Sequence, residues 1–245
     1  MRKLKTDRQP EIVAAALSVA AERGLDALSM RLVADRIGVT PMALYGYFRS
    51  KEDLLDAMAG HLVSEFAAHN PAHNPAHDPA HDPAHDPAHG DGSAYDGDWR
   101  GRLSALAHGM RDVAKRYPAV FPLLLERPSV TPDAVRVVDV AFQALLDAGV
   151  PPAHVPRIER LLSTFLLGFA TSEVRGRFAA GTGKTRAHRA YGDESEDDPA
   201  APDPFPAHRR LAPVLARPVD WDAEFEADLE DLAAVIAAAI ARPAE

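Results

Sequence analysis

Apolar residues recur at steps of three and four along most of the chain, and no stretch shows the strict alternation of a half-buried strand. From Gln9 to Arg23, Val13, Ala16, Leu17 and Ala20 share one helical face, and Gly24 stops it. A shorter stripe of Met30, Val33, Ala34 and Ile37 follows Ser29, whose hydroxyl suits an N-cap, and ends at Gly38. Thr40 and Pro41 then start a short helix through Tyr47. Threonine serves as the cap, and proline takes the first position, where a missing N–H costs nothing. Ser50 with Asp53 resembles a capping box for a longer helix, Lys51 to about Ala68. Later stripes join Trp99, Leu103, Leu106, Met110 and Val113, then Val135, Val138, Phe142, Leu145 and Leu146 after a Thr131 cap. Ile158, Leu161, Leu162, Phe165, Leu166 and Phe169 predict a helix of about Pro156 to Ala179, and Trp221, Phe225, Leu229, Leu232, Ile236 and Ile240 one from Asp220 to Ala241. A proline-broken piece covers 119–127. The pattern predicts an all-α protein.

Two stretches break the rhythm. Residues 69–89 read HNPAHNPAHDPAHDPAHDPAH, with proline every fourth position, which excludes a helix or sheet interior. An extended linker is expected there, reaching about Gly97. Residues 181–206 are rich in Gly, Pro, Asp and Glu and read as a second linker. The predicted organisation is a small helical domain at 1–50, a connecting helix at 51–68, a His/Pro-rich insert at 69–97, and a larger helical domain at 98–245 that contains the 181–206 linker.

Charge divides the chain unevenly. The total is −9, yet residues 1–51 hold nine Lys/Arg against five Asp/Glu, a balance of +4 that leaves −13 for the rest. A basic head on an acidic body fits a protein whose head alone meets a polyanion. There is no cysteine, which excludes disulfides and thiolate chemistry and fits a reducing cytoplasm. The apolar run Leu232 to Ala241 falls far short of the ~20 residues that span a bilayer, so no membrane partner is expected. Two short helices joined by a glycine-containing turn form a helix-turn-helix, whose second helix enters a major groove ~12 Å wide. That helix carries Thr40, Pro41, Met42, Tyr45 and Tyr47, with no acidic residue. Lys51, at the start of the next helix, is placed to hold a phosphate together with free N–H groups. Leu44 and Phe48 read as core of the small domain, and Arg36 and Arg49 as solvated charges.

The run Ile37-Gly38-Val39, then Leu44-Tyr45-x-Tyr47-Phe48, then Lys51-x-x-Leu54, resembles the TetR family of bacterial repressors over residues 8–58. The resemblance implies a homodimeric repressor of nine or ten helices whose larger domain binds a small inducer. By position it implies DNA contacts from Ser29 and Arg31 at the start of the second helix, from Thr40, Pro41, Met42, Tyr45 and Tyr47 on the recognition helix, and from Lys51. Arg31 is the choice for reading guanine, since its fork bonds O6 and N7 together. LLLERP at 123–128 and FLLGFA at 165–170 resemble segments of the tetracycline-repressor C-terminal domain. Tetracycline repressors hold the ligand's magnesium with a histidine where this chain has Leu123, so a more apolar inducer is expected here.

Helices packed in that way would form a pocket from Met110, Phe121, Leu124, Phe142, Phe165 and Phe169, with Arg127 and Glu173 as polar contacts. An aromatic residue at helical spacing is usually plain core, and each of these charges is more often a surface ion-pair member. Dimerisation is expected through the helix around Leu161–Phe169 and the last helix, where Gly168 and the alanines at 233, 237 and 238 permit close approach. No cofactor is implied. His69, His73, His77, His81, His85 and His89 offer imidazoles for a metal, and the alternative function is a metal-responsive or metal-buffering protein. An enzyme is not indicated. GTGKT at 181–185 lacks the earlier glycine of a phosphate loop, which is Phe178 here, and no strand precedes it.

Overall fold

The structure, a computed structural model, describes residues 8–68, 99–127, 131–177 and 205–241. These form ten helices: α1 Gln9–Arg23, α2 Met30–Ile37, α3 Pro41–Tyr45, α4 Lys51–Ala68, α5 Trp99–Arg116, α6 Leu123–Glu126, α7 Pro132–Asp147, α8 Val155–Val174, α9 Pro206–Leu215 and α10 Trp221–Ile240. No strand occurs among the described residues, and none of their helices is long and apolar enough to cross a membrane. The insert at 69–97, with its six repeat histidines, lies outside the described residues, as does most of the 181–206 linker with its GTGKT segment.

Local chemistry sets the helix starts. Ser29 Oγ accepts from the Leu32 N–H at 3.3 Å, Thr40 Oγ1 from the Ala43 N–H at 3.2 Å, and Thr131 Oγ1 from the Ala134 N–H at 3.2 Å. At α4 the Asp53 N–H donates to Ser50 Oγ at 3.1 Å, while Asp53 Oδ2 accepts from the N–H of Arg49 at 3.0 Å. This differs from the usual capping box by one residue, since the carboxylate reaches past the cap itself. Gly38, at φ +71°, closes α2: the Val39 N–H donates back to the Ala34 carbonyl at 3.0 Å. A side chain would be strained in that backbone, so this glycine fixes the turn between α2 and α3.

Three boundaries differ from the sequence expectation. α3 ends at Tyr45, and the chain leaves it through a tight turn in which the Tyr47 and Phe48 N–H groups both donate to the Leu44 carbonyl, at 2.9 and 3.1 Å. α8 ends at Val174 rather than near Ala179. Gly176, at φ +62°, allows the Arg177 N–H to close on the Ser172 carbonyl at 3.0 Å. α9 was not expected at all. It has Pro213 within it, and its apolar residues Leu211, Val214 and Leu215 are exposed rather than buried.

One core runs from head to body. It joins Ile12, Leu17, Val33, Leu44 and Leu54 to Met58, Leu62, Met110, Phe121 and Leu123 without a break. α4 is the joint, packing on α1 of the head and on α5, α6 and α7 of the body. Its Leu54, Met58 and Leu62 are fully buried, each a gain of ~1.5–3 kcal/mol from removal of apolar surface from water. A second core, around Leu145, Val150, Ile158, Leu162 and Ile236, ties α7, α8 and α10 together.

Candidate functional site

The head presents one outward face. Leu44 and Phe48 are buried, as expected of small-domain core, and this turns the rest of α3 outward. Pro41, Met42, Ala43 and Tyr45 are exposed, Met42 at 80% and Tyr45 at 48%. Arg31 is exposed on the first turn of α2, and Lys51 is half-buried at the start of α4. Neither forms an ion pair among the described residues, so both cations are open to a phosphate or base. Ser29 and Thr40 have committed an oxygen lone pair to their caps, but each keeps its O–H to donate. Tyr47 is half-buried, and its backbone oxygen accepts from Gln9 Nε2 at 3.3 Å.

Arg36 is not the solvated charge expected. It donates to Ser18 Oγ at 2.6 Å and to both Glu22 oxygens at 2.9 and 2.5 Å, strapping α2 to α1. Its hydrogen bond holds the Glu22 carboxyl below the usual carboxylate range.

The body holds a half-open cavity of about 540 Å³, within the ~300–1,000 Å³ typical of small-molecule sites. It lies where the two cores part. Val63 and Phe66 of α4, Trp99, Leu103 and Met110 of α5, Val137 of α7, Leu162 and Leu166 of α8, and Leu229 and Ile236 of α10 form its apolar walls. Ser104, Ser163, Arg100, Arg127, Glu159, Glu226 and Glu230 add polar groups.

Of the residues expected in the pocket, the structure brings Met110, Leu124 and Arg127 to this cavity. Phe121, Phe142, Phe165 and Phe169 do not line it. Phe121 is wholly buried in the head-to-body core, and Phe142 packs on the second core. Phe165 and Phe169 pack together at 5.9 Å between ring centres, and Phe169 meets Trp221 at 5.4 Å and Phe225 at 5.2 Å. Glu173 continues this stripe and receives both the Nε and Nη2 hydrogens of buried Arg111 at 2.7 Å, while Arg111 also stacks 4.7 Å from Phe225. α8 thus carries two stripes. Glu159, Leu162, Ser163 and Leu166 face the cavity, while Phe165, Phe169 and Glu173 face the start of α10. Aromatic character pointed to the wrong stripe, because ring chemistry does not reveal which neighbour a helix face meets. Leu123, at the place of the magnesium-binding histidine, is buried in the core and offers no ligand atom.

Arg127 connects the cavity to the head. From the end of α6 it lines the cavity and also pairs with Glu52 and Asp56 of α4, the latter at 2.8 Å. These two carboxylates lie within the first two turns after Lys51. Glu65, at the far end of α4, accepts from Tyr117 Oη at 2.6 Å and Arg116 Nη1 at 2.8 Å.

A helix-turn-helix head joined by one long helix to a helical body with a half-open cavity defines a class of two-domain regulators. Residues 12–58 match the family described as bacterial regulatory proteins, tetR family, and residues 92–239 match the tetracyclin repressor-like C-terminal domain. The chain belongs to the TetR family, whose members are regulators rather than enzymes. An HTH-type transcriptional repressor of Mycobacterium tuberculosis is 28% identical over 144 residues, 57% of this chain and 47% of that protein. The chain thus spans about half the length of that relative. A possible TetR family transcriptional regulator from Streptomyces coelicolor A3(2) superposes with a TM-score of 0.68 at 26% identity, over 94% of this chain and 98% of that one. ActR of Streptomyces coelicolor, solved in complex with actinorhodin, has the same fold, with a TM-score of 0.68 at 20% identity over 96% and 98% of the two chains.

Proposed function

We propose that this protein is a ligand-responsive transcriptional repressor of the cytoplasm. It binds a near-palindromic operator as a homodimer and is released by a small, mainly apolar molecule taken into the body cavity. The observation that carries this reading is Arg127, which lines the cavity while gripping the start of α4, the helix that opens with Lys51. DNA contact is assigned to Ser29, Arg31, Thr40, Pro41, Met42, Tyr45, Tyr47 and Lys51, and ligand contact to Met110, Leu124 and Arg127 with the apolar cavity walls.

Dimerisation through α8 and α10 is supported by their outward apolar positions, Leu161, Val235 and Ile240. A Cβ built on Gly168 would meet nothing within 4 Å, and Ala237 and Ala238 are exposed, so a second copy can approach closely. The ActR complex supports a small molecule within this fold. Sequencing the DNA fragments retained by purified protein, followed by footprinting, tests the operator half. Two protected half-sites one helical turn apart, ~34–36 Å, or somewhat more if two dimers share a site, are expected, and one unpaired half-site per molecule would refute the dimer. A ligand screen by melting temperature and operator release tests the other half, and release by metal ions or strongly charged metabolites alone would overturn it.

A further inference from the structure

α3 is unusual for a base-reading helix in what it lacks. From Pro41 to Tyr45 it has no amide, carboxylate, ammonium or guanidinium. The bidentate pairs that identify adenine or guanine in the major groove therefore have no source on this helix. Its outward surface is Pro41, Met42, Ala43 and Tyr45, and Met42 is the most exposed large apolar residue of the described chain, at 80%. Met42 sits at the second helical position, on the end of the recognition helix that meets base edges. Pro41 and Ala43 beside it are too short to compete for the same depth of groove.

One base feature in the major groove is apolar, the C5-methyl group of thymine. A methionine side chain is unbranched and polarisable, so it adapts to such a group across small changes in groove geometry. We infer that Met42 is a specificity-determining residue that reads a thymine in each half-site by packing on its C5-methyl, while Arg31 on α2 reads a guanine. This rests on the reading of the chain as an operator-binding protein.

Replacing thymine by uracil keeps every hydrogen-bonding group of the base pair and removes only the methyl. Each thymine of the operator recovered from the retained-fragment experiment is replaced singly by uracil, and affinity is measured for the native protein, Met42→Ala and Met42→Leu. The native protein is expected to lose about fourfold at one thymine per half-site, the weight of a single methyl group taken out of water. Met42→Ala should bind the thymine operator more weakly and show almost no thymine-over-uracil preference at that position. Met42→Leu should retain the preference. Because Met42 is exposed, both variants should melt with the native protein, which separates lost recognition from lost folding. Operator binding with no uracil penalty at any position, or a full penalty retained by Met42→Ala, overturns the inference and leaves the regulatory reading standing. A protein that retains no DNA at all overturns both.

Discussion

Arg31 and Lys51 carry like charges but should fail differently when removed. Arg31→Ala should cost ~1–3 kcal/mol at the preferred operator and relax the choice at one base pair, because a guanidinium fork reads a base edge. Lys51→Ala should weaken binding to all sequences alike and lower the slope of log affinity against log salt by about one, because it neutralises a phosphate. Anisotropy titrations across salt and single-base variants separate the two, and equal losses at every variant would refute the assignment. Arg111 sets a different kind of expectation. Its side chain is only 8% exposed, and Glu173 only 10%. Glu173→Leu would leave a buried guanidinium with only the exposed Asp222 carboxylate, at 2.7 Å, and should cost ~1–3 kcal/mol in denaturant unfolding, whereas joint replacement with Arg111→Met should recover much of that loss. The roles easiest to read from sequence were local ones. Ser29, Thr40 and Thr131 cap the helices they precede because the partner N–H lies three residues away. Phe169 was misplaced because its partners, Trp221 and Phe225, lie more than fifty residues away in sequence and on another helix, and Phe165 packs beside it.

Among the elements, α4 decides how the halves communicate. Its first turns are tied to α6 through Arg127, and its far end to α5 through Glu65 and to α7 through Ser64 Oγ, which donates to Asp133 Oδ2 at 2.5 Å. Burial pushes the Glu65 carboxyl up, but hydrogen bonds from Tyr117 and Arg116 and the nearby positive charges outweigh it, and the net shift is below the ordinary 4.5. A carboxyl lowered on folding stabilises the native state above its unfolded value and loses that contribution as pH falls through its native value. The native protein should therefore lose stability as pH falls below 4.5, and Glu65→Gln, less stable at neutral pH, should lose less over the same interval. Urea unfolding of both across that range checks the sign, and parallel curves would show that the strut contributes nothing. α1, α2 and α4 were legible from their apolar stripes, and α3 from its Thr40 cap and the Pro41 that follows it. The end of α8 was harder to place, since its stop depends on Gly176 rather than on any break in the apolar pattern. α9 was missed because it follows a Gly/Pro/Asp/Glu-rich stretch and has Pro213 inside its short apolar stripe of Leu211, Val214 and Leu215.

For the molecule as a whole, release of DNA needs a ligand that binds the DNA-incompetent arrangement more tightly than the competent one. The separation of two recognition helices in a dimer must match a fixed half-site spacing, so a modest swing of α4 is enough to break simultaneous docking. On the proposed function, Arg127 is the side chain through which a cavity ligand would drive that swing, since a molecule filling the cavity beside it would displace the guanidinium that holds Glu52 and Asp56. Arg127→Met should keep the cavity wall apolar and remove the tie. A compound selected by the melting screen should still raise the melting temperature of this variant, yet it should release operator poorly. The two carboxylates left unpaired beside Lys51 would repel phosphate and lower basal affinity, so the paired replacement of Glu52→Gln and Asp56→Asn provides the cleaner comparison. That variant severs the same tie from the α4 side without a free negative charge. These are partly exposed pairs, worth ~0–1 kcal/mol in stability, so both variants should fold. Both should lose ligand-driven release while the neutralised one binds operator at least as well as the native protein. If ligand still releases the neutralised variant as fully as the native chain, the signal passes through the packed core of α4 and not through Arg127.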